Sequence, residues 1–287
     1  MALIEKLKKH DDMTECEKDI CKYILKHPDK ICEMSSRELG NETYTSAASI
    51  TRFCQKLGVK GFPEFKLKLI GELKNGVIDE EEETISVAEH ENAVTMLRKI
   101  TKIQHQAIEN TKKELSYSQL VKAGRMIAEA KQIDFYAYDV NEYLAQYGRT
   151  LFFYAGKQAN IYNTANIQAL RALMPPDGNM AILISHTGEN RKLIEIAKLL
   201  RKQGTKIIVM TAGRDRTLAS YADECLCMPI SKRVDEFWNS MFFESGKYIL
   251  DILFGMEFSS RYEENQKLNE QYEKNGRAYL WGLEKDV

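Results

Sequence analysis

Short helical patterns alternate with turn signals in the first part of the chain. Residues Thr14 to Glu17 have the spacing of a capping box, and apolar residues recur at helical intervals after them until Pro28. Residues Ser35 to Glu38 repeat the capping-box spacing before a short second helix. Ser46 is placed to cap a third helix, which Gly58 ends. Three short helices around a tight turn predict a helix-turn-helix.

A fourth helix and an acidic run follow this pattern. Pro63 suits the first turn of a helix, and Phe65, Leu69 and Leu73 form a narrow apolar stripe along it. Residues Asp79 to Glu83 are five consecutive carboxylates, whose mutual repulsion suits a linker better than a packed core. The sequence therefore predicts a helix-turn-helix domain over residues 1–78, an acidic linker over 79–91 and a second domain over 92–287.

The pattern of the second domain begins with two long helices and then alternates apolar runs with amphipathic segments. Apolar runs of this length between helices are typical of buried parallel strands. The pattern predicts an α/β doubly wound parallel sheet with helices on both faces. The predicted strands lie at 133–138, 160–162, 180–185, 206–211 and 224–228, and helices at 142–154, 190–202 and 235–256.

Length and charge agree with two domains. The 287 residues exceed the usual size of one core, and 44% apolar residues suffice to bury two. A formal net charge of −1 argues against a uniformly basic nucleic-acid coat and against a membrane-surface protein. The charge is uneven, however, because residues 43–76 hold six basic side chains and two acidic ones. This local excess suits a DNA-binding surface.

The cysteines and the N-terminus indicate the compartment. The six cysteines lack both the CxxC spacing of a zinc site and the density of a disulfide scaffold. Cys225 and Cys227 would share one face of a strand, but no histidine lies near them in sequence. The N-terminus has no apolar leader, and no run of about 18 apolar residues occurs. We therefore expect a cytoplasmic protein with no membrane partner, no metal and no cofactor.

The predicted third helix carries candidate DNA contacts. At 100° per residue, Ile50 and Phe53 point inward and a face of small, amide and cationic side chains points outward. Arg52 can pair with guanine or phosphate, Gln55 with adenine, and the methyl group of Ala48 with that of thymine. A protein-interaction module would expose similar residues, so the helical pattern alone leaves both readings open. The expected DNA contacts are Ser46, Ala48, Ser49, Arg52, Gln55, Lys56 and Lys60.

Three stretches of the first domain form a specific motif. They are Ser35 to Leu39, Ser49 to Gly58 and Lys60 to Lys66, and they contain the run RFCxKLGxKGFxEFK. This motif closely resembles the N-terminal domain of RpiR-type transcription regulators. That family joins its helix-turn-helix to a sugar isomerase (SIS) domain, which the α/β pattern matches. The resemblance implies a regulator that binds a double-stranded DNA operator as a homodimer or a dimer of dimers.

One position of the turn departs from the family. The family commonly has glycine where this chain has Tyr44. A non-glycine residue in a left-handed conformation costs on the order of 1 kcal/mol. Either the turn differs here, or Asn41 takes the strained position.

The loops after the predicted strands carry candidate ligand contacts. Ser185 to Asn190 follow a strand and open a helix, where hydroxyls, a glycine and an amide suit phosphate, although many such loops bind nothing. This loop is similar to the SxSGxT phosphosugar loop of SIS domains. Thr211 to Arg214 resemble the family's helper loop, with Arg214 as an anion contact. The expected ligand contacts are Asn141, Ser185, His186, Thr187, Gly188, Asn190, Thr211 and Arg214.

The loop after the first strand departs from the SIS pattern. Ala137 to Asn141 stand where SIS domains usually have GxGxS. Asn141 still offers an amide, but the carboxylate of Asp139 would repel a dianion. The resemblance and this departure together imply either a sugar-phosphate-like ligand that is less anionic or bears an amino group, or a degenerate domain that only dimerises.

The SIS resemblance also admits an enzyme. His186 and Glu244 are conceivable as the acid and base of an aldose-ketose isomerisation, which moves a proton between adjacent carbons. We expect instead that neither residue is catalytic and that the protein is not an enzyme. The expected function is a DNA-binding transcription regulator whose operator affinity a sugar-phosphate-like ligand modulates. The alternative is a sugar-phosphate isomerase with an accessory helical domain.

Overall fold

Two separate units make up the computed structural model. It describes residues 3–9, 13–74, 86–87, 89–162, 164–229 and 236–281. The first unit extends to Ile103 and includes Glu236, and the second begins at Gln104. This division falls within a helix over Ala93–Glu114. The predicted acidic linker residues Asp79 to Glu83 lie outside the described residues, and the predicted boundaries at 78 and 92 stay predictions.

Helices alone form the described part of the first unit before residue 75. The capping boxes predicted at Thr14 and Ser35 are both present, and the side chain of Ser46 accepts a hydrogen bond from the amide of Ser49. The predicted helix starts are therefore confirmed. Two further helices, α1 and α3, are too short to show a period in the sequence. The elements are α1 (Leu3–Lys8), α2 (Glu15–Lys26), α3 (Pro28–Glu33), α4 (Ser36–Glu42), α5 (Ala47–Lys56) and α6 (Phe62–Lys74).

One hydrophobic core unites these six helices. The predicted inward residues Ile50, Phe53 and Leu57 are buried in it, and the rings of Phe53 and Phe65 lie 6.5 Å apart. Glu72 in α6 accepts hydrogen bonds from the amides of Leu3 at 2.5 Å and of Ile4 at 2.7 Å. The carboxylate therefore satisfies amides at the start of α1, where a helix has no partners of its own.

Strands and helices alternate in the second unit, as predicted. Two segments were not predicted, namely helix α10 and a 3₁₀ helix at Thr217–Tyr221. The elements are α7 (Ala93–Glu114), α8 (Tyr117–Glu129), β1 (Gln132–Ala137), α9 (Asn141–Tyr154), β2 (Gln158–Ile161), α10 (Ala165–Leu173), β3 (Asn179–Ser185), α11 (Arg191–Lys202), β4 (Lys206–Thr211), β5 (Glu224–Cys227), α12 (Trp238–Ser260) and α13 (Tyr262–Trp281).

The strands of the described residues form one parallel sheet in the order β2-β1-β3-β4-β5. Helices α8, α9 and α12 cover one face, while α10, α11 and the 3₁₀ helix cover the other. The chain leaves β1 toward β2 on one side and returns to β3 on the other. The loops after β1 and β3 therefore diverge, and this is where such sheets bind ligands. None of the described helices is both long and apolar enough to cross a bilayer.

Candidate functional sites

The outer face of α5 presents the predicted mixture of side chains. Ala48, Arg52 and Gln55 are exposed and Ser49 is partly exposed, and Lys60, which follows the end of α5, is exposed as well. Among the described residues, no hydrogen-bond or ion-pair partner is found for the side chain of Arg52 or of Gln55. No acidic residue occupies the first turn of α5. The face can therefore donate hydrogen bonds to an external partner without first breaking internal ones.

Three other predicted DNA contacts already have partners inside the unit. The hydroxyl of Ser46 accepts from the amide of Ser49 at 3.1 Å, and the two hydroxyls lie 2.9 Å apart. The ammonium of Lys56 lies 2.8 Å from the carboxylate of Glu17. A DNA contact by any of these side chains stays a prediction and would have to share or replace these bonds.

The turn between α4 and α5 keeps the left-handed geometry that the family builds with glycine. Tyr44 has φ +52°, whereas Asn41 remains within α4. The amide of Thr45 donates to the carbonyl of Gly40 at 2.7 Å. A Cβ on Gly40 would lie only 2.8 Å from the carbonyl oxygen of Thr45. The tight turn therefore requires glycine at position 40 and accepts tyrosine at position 44.

The loop from β3 to α11 is folded by its own polar groups. The buried hydroxyl of Ser185 accepts from the amide of Gly188 at 3.1 Å, and Gly188 has φ +65°. The hydroxyl of Thr187 accepts from the amide of Glu189 at 3.2 Å. Asn190 caps α11 by accepting from the amides of Lys192 and Leu193. Ser185 to Asn190 therefore form one ordered turn at the positive end of α11.

The loop after β4 folds against this turn. The hydroxyl of Thr211 and the amide of Ala212 both donate to the carbonyl oxygen of His186, at 3.4 and 3.2 Å. The amide of Leu218 donates to the carbonyl of Gly188 at 2.9 Å. Thr217 binds the carboxylate of Glu189 through its amide at 2.8 Å and its hydroxyl at 2.6 Å. These bonds bring Thr211 together with the predicted β3 loop.

The imidazole of His186 packs on aromatic side chains of α12. Its ring centroid lies 4.4 Å from that of Trp238 and 5.1 Å from that of Phe242. Burial lowers the pKa of His186, and the nearby charge of Arg216 lowers it further. Both effects favour the neutral imidazole, and its contacts with the two aromatic rings hold the loop against α12.

Arg214 is directed away from the predicted ligand loop. Its guanidinium donates to the carbonyl of Glu114 at 3.3 Å and to the side chain of Gln119 at 2.8 Å. Arg216 is the arginine that lies beside the loop. Its Cβ is so close to Gly188 that a Cβ added there would clash with it. The sequence interpretation missed Arg216, although its charge, two residues further along the same loop, was a usable signal.

The loop from β1 to α9 also keeps a left-handed residue where SIS domains have glycine. Asp139 has φ +56° and is exposed. Asn141 is the first residue of α9, and its Oδ1 atom is buried without a hydrogen-bond partner in the described part of the chain. Asn141 and Asp139 therefore stand at the predicted position in the fold, at the carboxyl end of β1.

The sequence interpretation also missed a buried polar cluster around Asp134 in β1. Asp134 is fully buried and accepts hydrogen bonds from Asn160 at 3.0 Å and Tyr162 at 3.2 Å. Arg171 of α10 forms an ion pair with the same carboxylate. The cluster fixes α10 and the end of β2 to the sheet. A carboxylate within an apolar strand was the available signal.

Family models match both units. Residues 1–76 match the model of the helix-turn-helix domain of the rpiR family, and residues 126–246 match that of the SIS domain. An HTH-type transcriptional regulator of Caldanaerobacter subterraneus subsp. tengcongensis is 31% identical over 216 residues, which cover 73% of each chain. The chain belongs to the rpiR family of transcription regulators. The HTH-type transcriptional regulator HexR of Pseudomonas aeruginosa is 26% identical over 225 residues, or 78% of each chain.

Solved structures of other proteins share the fold. The Vibrio vulnificus NanR protein, complexed with ManNAc-6P, aligns with a TM-score of 0.56 at 17% identity over 94% of this chain and 98% of that one. The sugar isomerase domain of the RpiR transcription factor from Sphaerobacter thermophilus aligns with a TM-score of 0.55 at 10% identity, over 61% and 96%. The predicted rpiR architecture, a helix-turn-helix domain followed by an SIS-like α/β domain, is confirmed.

Proposed function

We propose that this rpiR-family regulator binds its operator through the exposed face of α5. A sugar phosphate, held by the loops after β1 and β3, changes the affinity for that operator. The relatives named above are transcription regulators, and NanR was solved with ManNAc-6P. The family relationship supports the class of function, whereas the assignment of individual residues rests on their geometry.

The observation that carries the ligand proposal is the cluster of cations around the β3 loop. Helix α11 begins with Arg191 and Lys192 and has no acidic residue in its first turn. Cations are unfavourable at the positive end of a helix, and Arg216 adds a third beside Gly188. Two carboxylates offset part of this charge, because Glu189 binds Thr217 within the turn and Asp215 forms an ion pair with Arg216. An anion bound at the turn would relieve this repulsion and bind backbone amides at the same time. A phosphate group has the required charge.

Asp139 narrows the class of sugar. Its exposed carboxylate follows β1, the neighbour of β3 in the sheet. A carboxylate repels a phosphate dianion but accepts hydrogen bonds from ammonium, amide or hydroxyl groups. We therefore propose a ligand whose phosphate lies at α11 and whose amino-bearing or hydroxyl-bearing part lies toward Asp139.

Regulation without catalysis is the preferred mode of action. An aldose-ketose isomerase needs a free base beside the substrate carbons. The ring of His186 is instead packed on Trp238 and Phe242, and Glu244 belongs to α12. The isomerase alternative predicts turnover, so incubation of the protein with aldose and ketose phosphates, followed by NMR, should show no interconversion.

Fluorescence anisotropy tests the ligand half of the proposal. Wild-type protein is titrated onto DNA from its own upstream region at fixed salt, with and without each member of a panel of sugar phosphates. One of them should change the operator affinity by roughly 5- to 150-fold. R216A should lose this response. K198A, on the exposed side of α11, should keep it. Loss of response in both variants, or in neither, would remove the anion site from this loop.

Alanine variants of α5 test the DNA half. R52A and Q55A should each weaken operator binding by about tenfold, which corresponds to roughly 1–3 kcal/mol per base contact. K22A changes an exposed lysine of α2 and serves as the charge control. If R52A and Q55A bind the operator as wild type does, α5 is not the reading helix.

The assembly and location are part of the same proposal. A pseudo-palindromic operator requires two copies of α5 about one helical turn of DNA apart, so we propose a cytoplasmic homodimer or dimer of dimers. Light scattering of the protein gives the number of chains, and footprinting gives the half-site spacing. A monomer that protects a single half-site would contradict this arrangement.

A further inference from the structure

Tyr44 combines two unfavourable properties in the turn before α5. Its backbone has φ +52°, a conformation in which residues other than glycine and asparagine are strained. Its side chain is 99% exposed, so a large aromatic ring gains no burial. Strain held at a position with no gain in packing is characteristic of functional sites.

The turn itself does not use the Tyr44 side chain. The hydroxyl of Thr43 donates to the carbonyl of Leu39 at 2.8 Å, and the amide of Thr45 donates to that of Gly40 at 2.7 Å. Tyr44 contributes its backbone amide, which donates to the carbonyl of Asn41 at 3.3 Å. Glycine at position 44 would form the same backbone bond without the strain. The side chain therefore has a role outside the fold of this unit.

The position of Tyr44 indicates which partner the ring meets. It lies two residues before Ser46, the cap of α5, and therefore beside the N-terminal half of the helix proposed to enter the major groove. Phosphates line the edges of that groove, and tyrosine hydroxyls are common donors to them. We propose that Tyr44 contacts the DNA backbone, with its hydroxyl donating to a phosphate oxygen. This inference rests on the proposed DNA binding by α5.

The strain and the contact predict opposite effects of one substitution. Y44G relieves the backbone strain, so its Tm should rise by a few degrees. It also removes the phosphate contact, so its DNA affinity should fall by about tenfold. Y44F keeps the strain and the ring but lacks the hydroxyl, so its Tm should stay near that of wild type while its affinity falls. A merely structural role for Tyr44 would move stability and affinity in the same direction.

The experiment measures Tm and DNA affinity for wild type, Y44G, Y44F and Y117F. Tyr117 is 84% exposed at the start of α8 and serves as the control for an exposed tyrosine. Both Tyr44 variants should weaken binding to the operator and to an unrelated duplex by similar factors, since phosphates carry no sequence information. Y117F should change neither property.

Several results would overturn the inference. If Y44G gains stability and binds DNA as tightly as wild type, Tyr44 makes no DNA contact. A loss confined to the operator would exclude a phosphate contact. If the Tyr44 variants bind DNA normally but change the number of chains in solution, the exposed ring belongs to an interface between copies. If wild type binds no duplex specifically, the proposed function fails, and the contact fails with it.

Discussion

The Nε atom of Arg171 lies 2.8 Å from Oδ2 of Asp134, a carboxylate that is fully buried in strand β1. Asn160 and Tyr162 donate to the other oxygen of the same carboxylate. A buried charge with these partners is tolerated, whereas the same charge without its cation is costly. The ion pair therefore contributes to stability mainly because the buried carboxylate of Asp134 would be costly without a cation.

The first prediction concerns this pair. R171A should lower the free energy of unfolding by about 3 kcal/mol, since it leaves a buried carboxylate without its counter-charge. The matched control is R201A, because Arg201 pairs with Asp223 at the surface and should contribute less than about 1 kcal/mol. Urea unfolding measures both. Equal losses in the two variants would show that burial of Asp134 has no special cost.

The second prediction concerns the turn before α5. G40A should destabilise the protein by about 1–3 kcal/mol, because the added methyl group would press on the carbonyl of Thr45. G71A lies in an open part of α6 and should instead stabilise the protein by about 1 kcal/mol, since alanine favours a helix. Thermal unfolding should therefore move in opposite directions. A neutral G40A would mean that the turn can open at no cost.

The third prediction separates backbone strain from crowding in the β3 loop. Gly188 and Gly204 both have positive φ, at +65° and +71°. G204A meets no atom within 4 Å and should cost on the order of 1 kcal/mol from strain alone. G188A also meets Arg216 and the hydroxyl of Thr211, so it should cost about 1–3 kcal/mol more. Urea unfolding that ranks the two variants equally would contradict the packing of the β4 loop on the β3 loop.

The fourth prediction concerns acid stability. Burial lowers the pKa of His186 in the folded protein below the value of about 6.5 in an unfolded chain. Between these two values the unfolded state binds more protons, so stability is lost as the pH falls below about 6.5. H186F keeps the contacts with Trp238 and Phe242 but does not titrate. Its stability should fall less than that of wild type between pH 7 and pH 5, as measured by urea unfolding.

His27 provides the internal reference for that measurement. Its pKa is also lowered by burial, and it remains in both proteins. Only the difference between the two pH profiles therefore belongs to His186. Parallel profiles would show that the imidazole is solvated in the folded state.

The fifth prediction concerns Arg214, whose guanidinium lies near the thiols of β5. A hydrogen bond from the Cys225 thiol and the nearby guanidinium of Arg214 lower the pKa of Cys227 below the usual value for a thiol. R214Q should raise this pKa, because the thiolate loses its cation. The thiolate absorbance near 240 nm, taken as a difference from C227S, gives the titration curve. R216Q is the control and should leave the curve in place. A shift of the curve in R216Q and not in R214Q would show that Arg216, rather than Arg214, lowers the pKa of Cys227.

Local interactions explain which elements the sequence predicted well. The capping boxes at Thr14 and Ser35 and the cap at Ser46 each span only four consecutive residues, so the spacing alone located them. Strands β1, β3 and β4 are almost entirely buried and therefore appear as apolar runs, whereas β2 is partly exposed. Helix α10 gave no such signal, because it buries Gln168 and Ala172 and exposes Ile167 and Leu170.

The candidate site was predictable in its loops and not in its side chains. A strand followed by Ser185 to Asn190 placed the turn correctly, since the cap at Asn190 is local. The directions of Arg214 and Arg216 depend on α8 and on Gly188, which are distant in sequence. Spacing alone therefore could not show that Arg216 lies beside Gly188, and the ligand contact predicted for Arg214 stays a prediction. Asp139 and Tyr44 both have positive φ, so a left-handed conformation is present at two positions where the family resemblance suggests glycine.

The carboxylate of Glu72 in α6 binds the amides of Leu3 and Ile4 in α1. The first and last helices of the helical core are thereby joined, and all buried residues of that core lie between Leu3 and Leu73. Every buried member of that core is synthesised before the first strand, β1, leaves the ribosome. Domains of this kind fold as units during synthesis. A ribosome that stalls within the sheet would therefore release a product with a complete helical core and no sheet to bind a ligand.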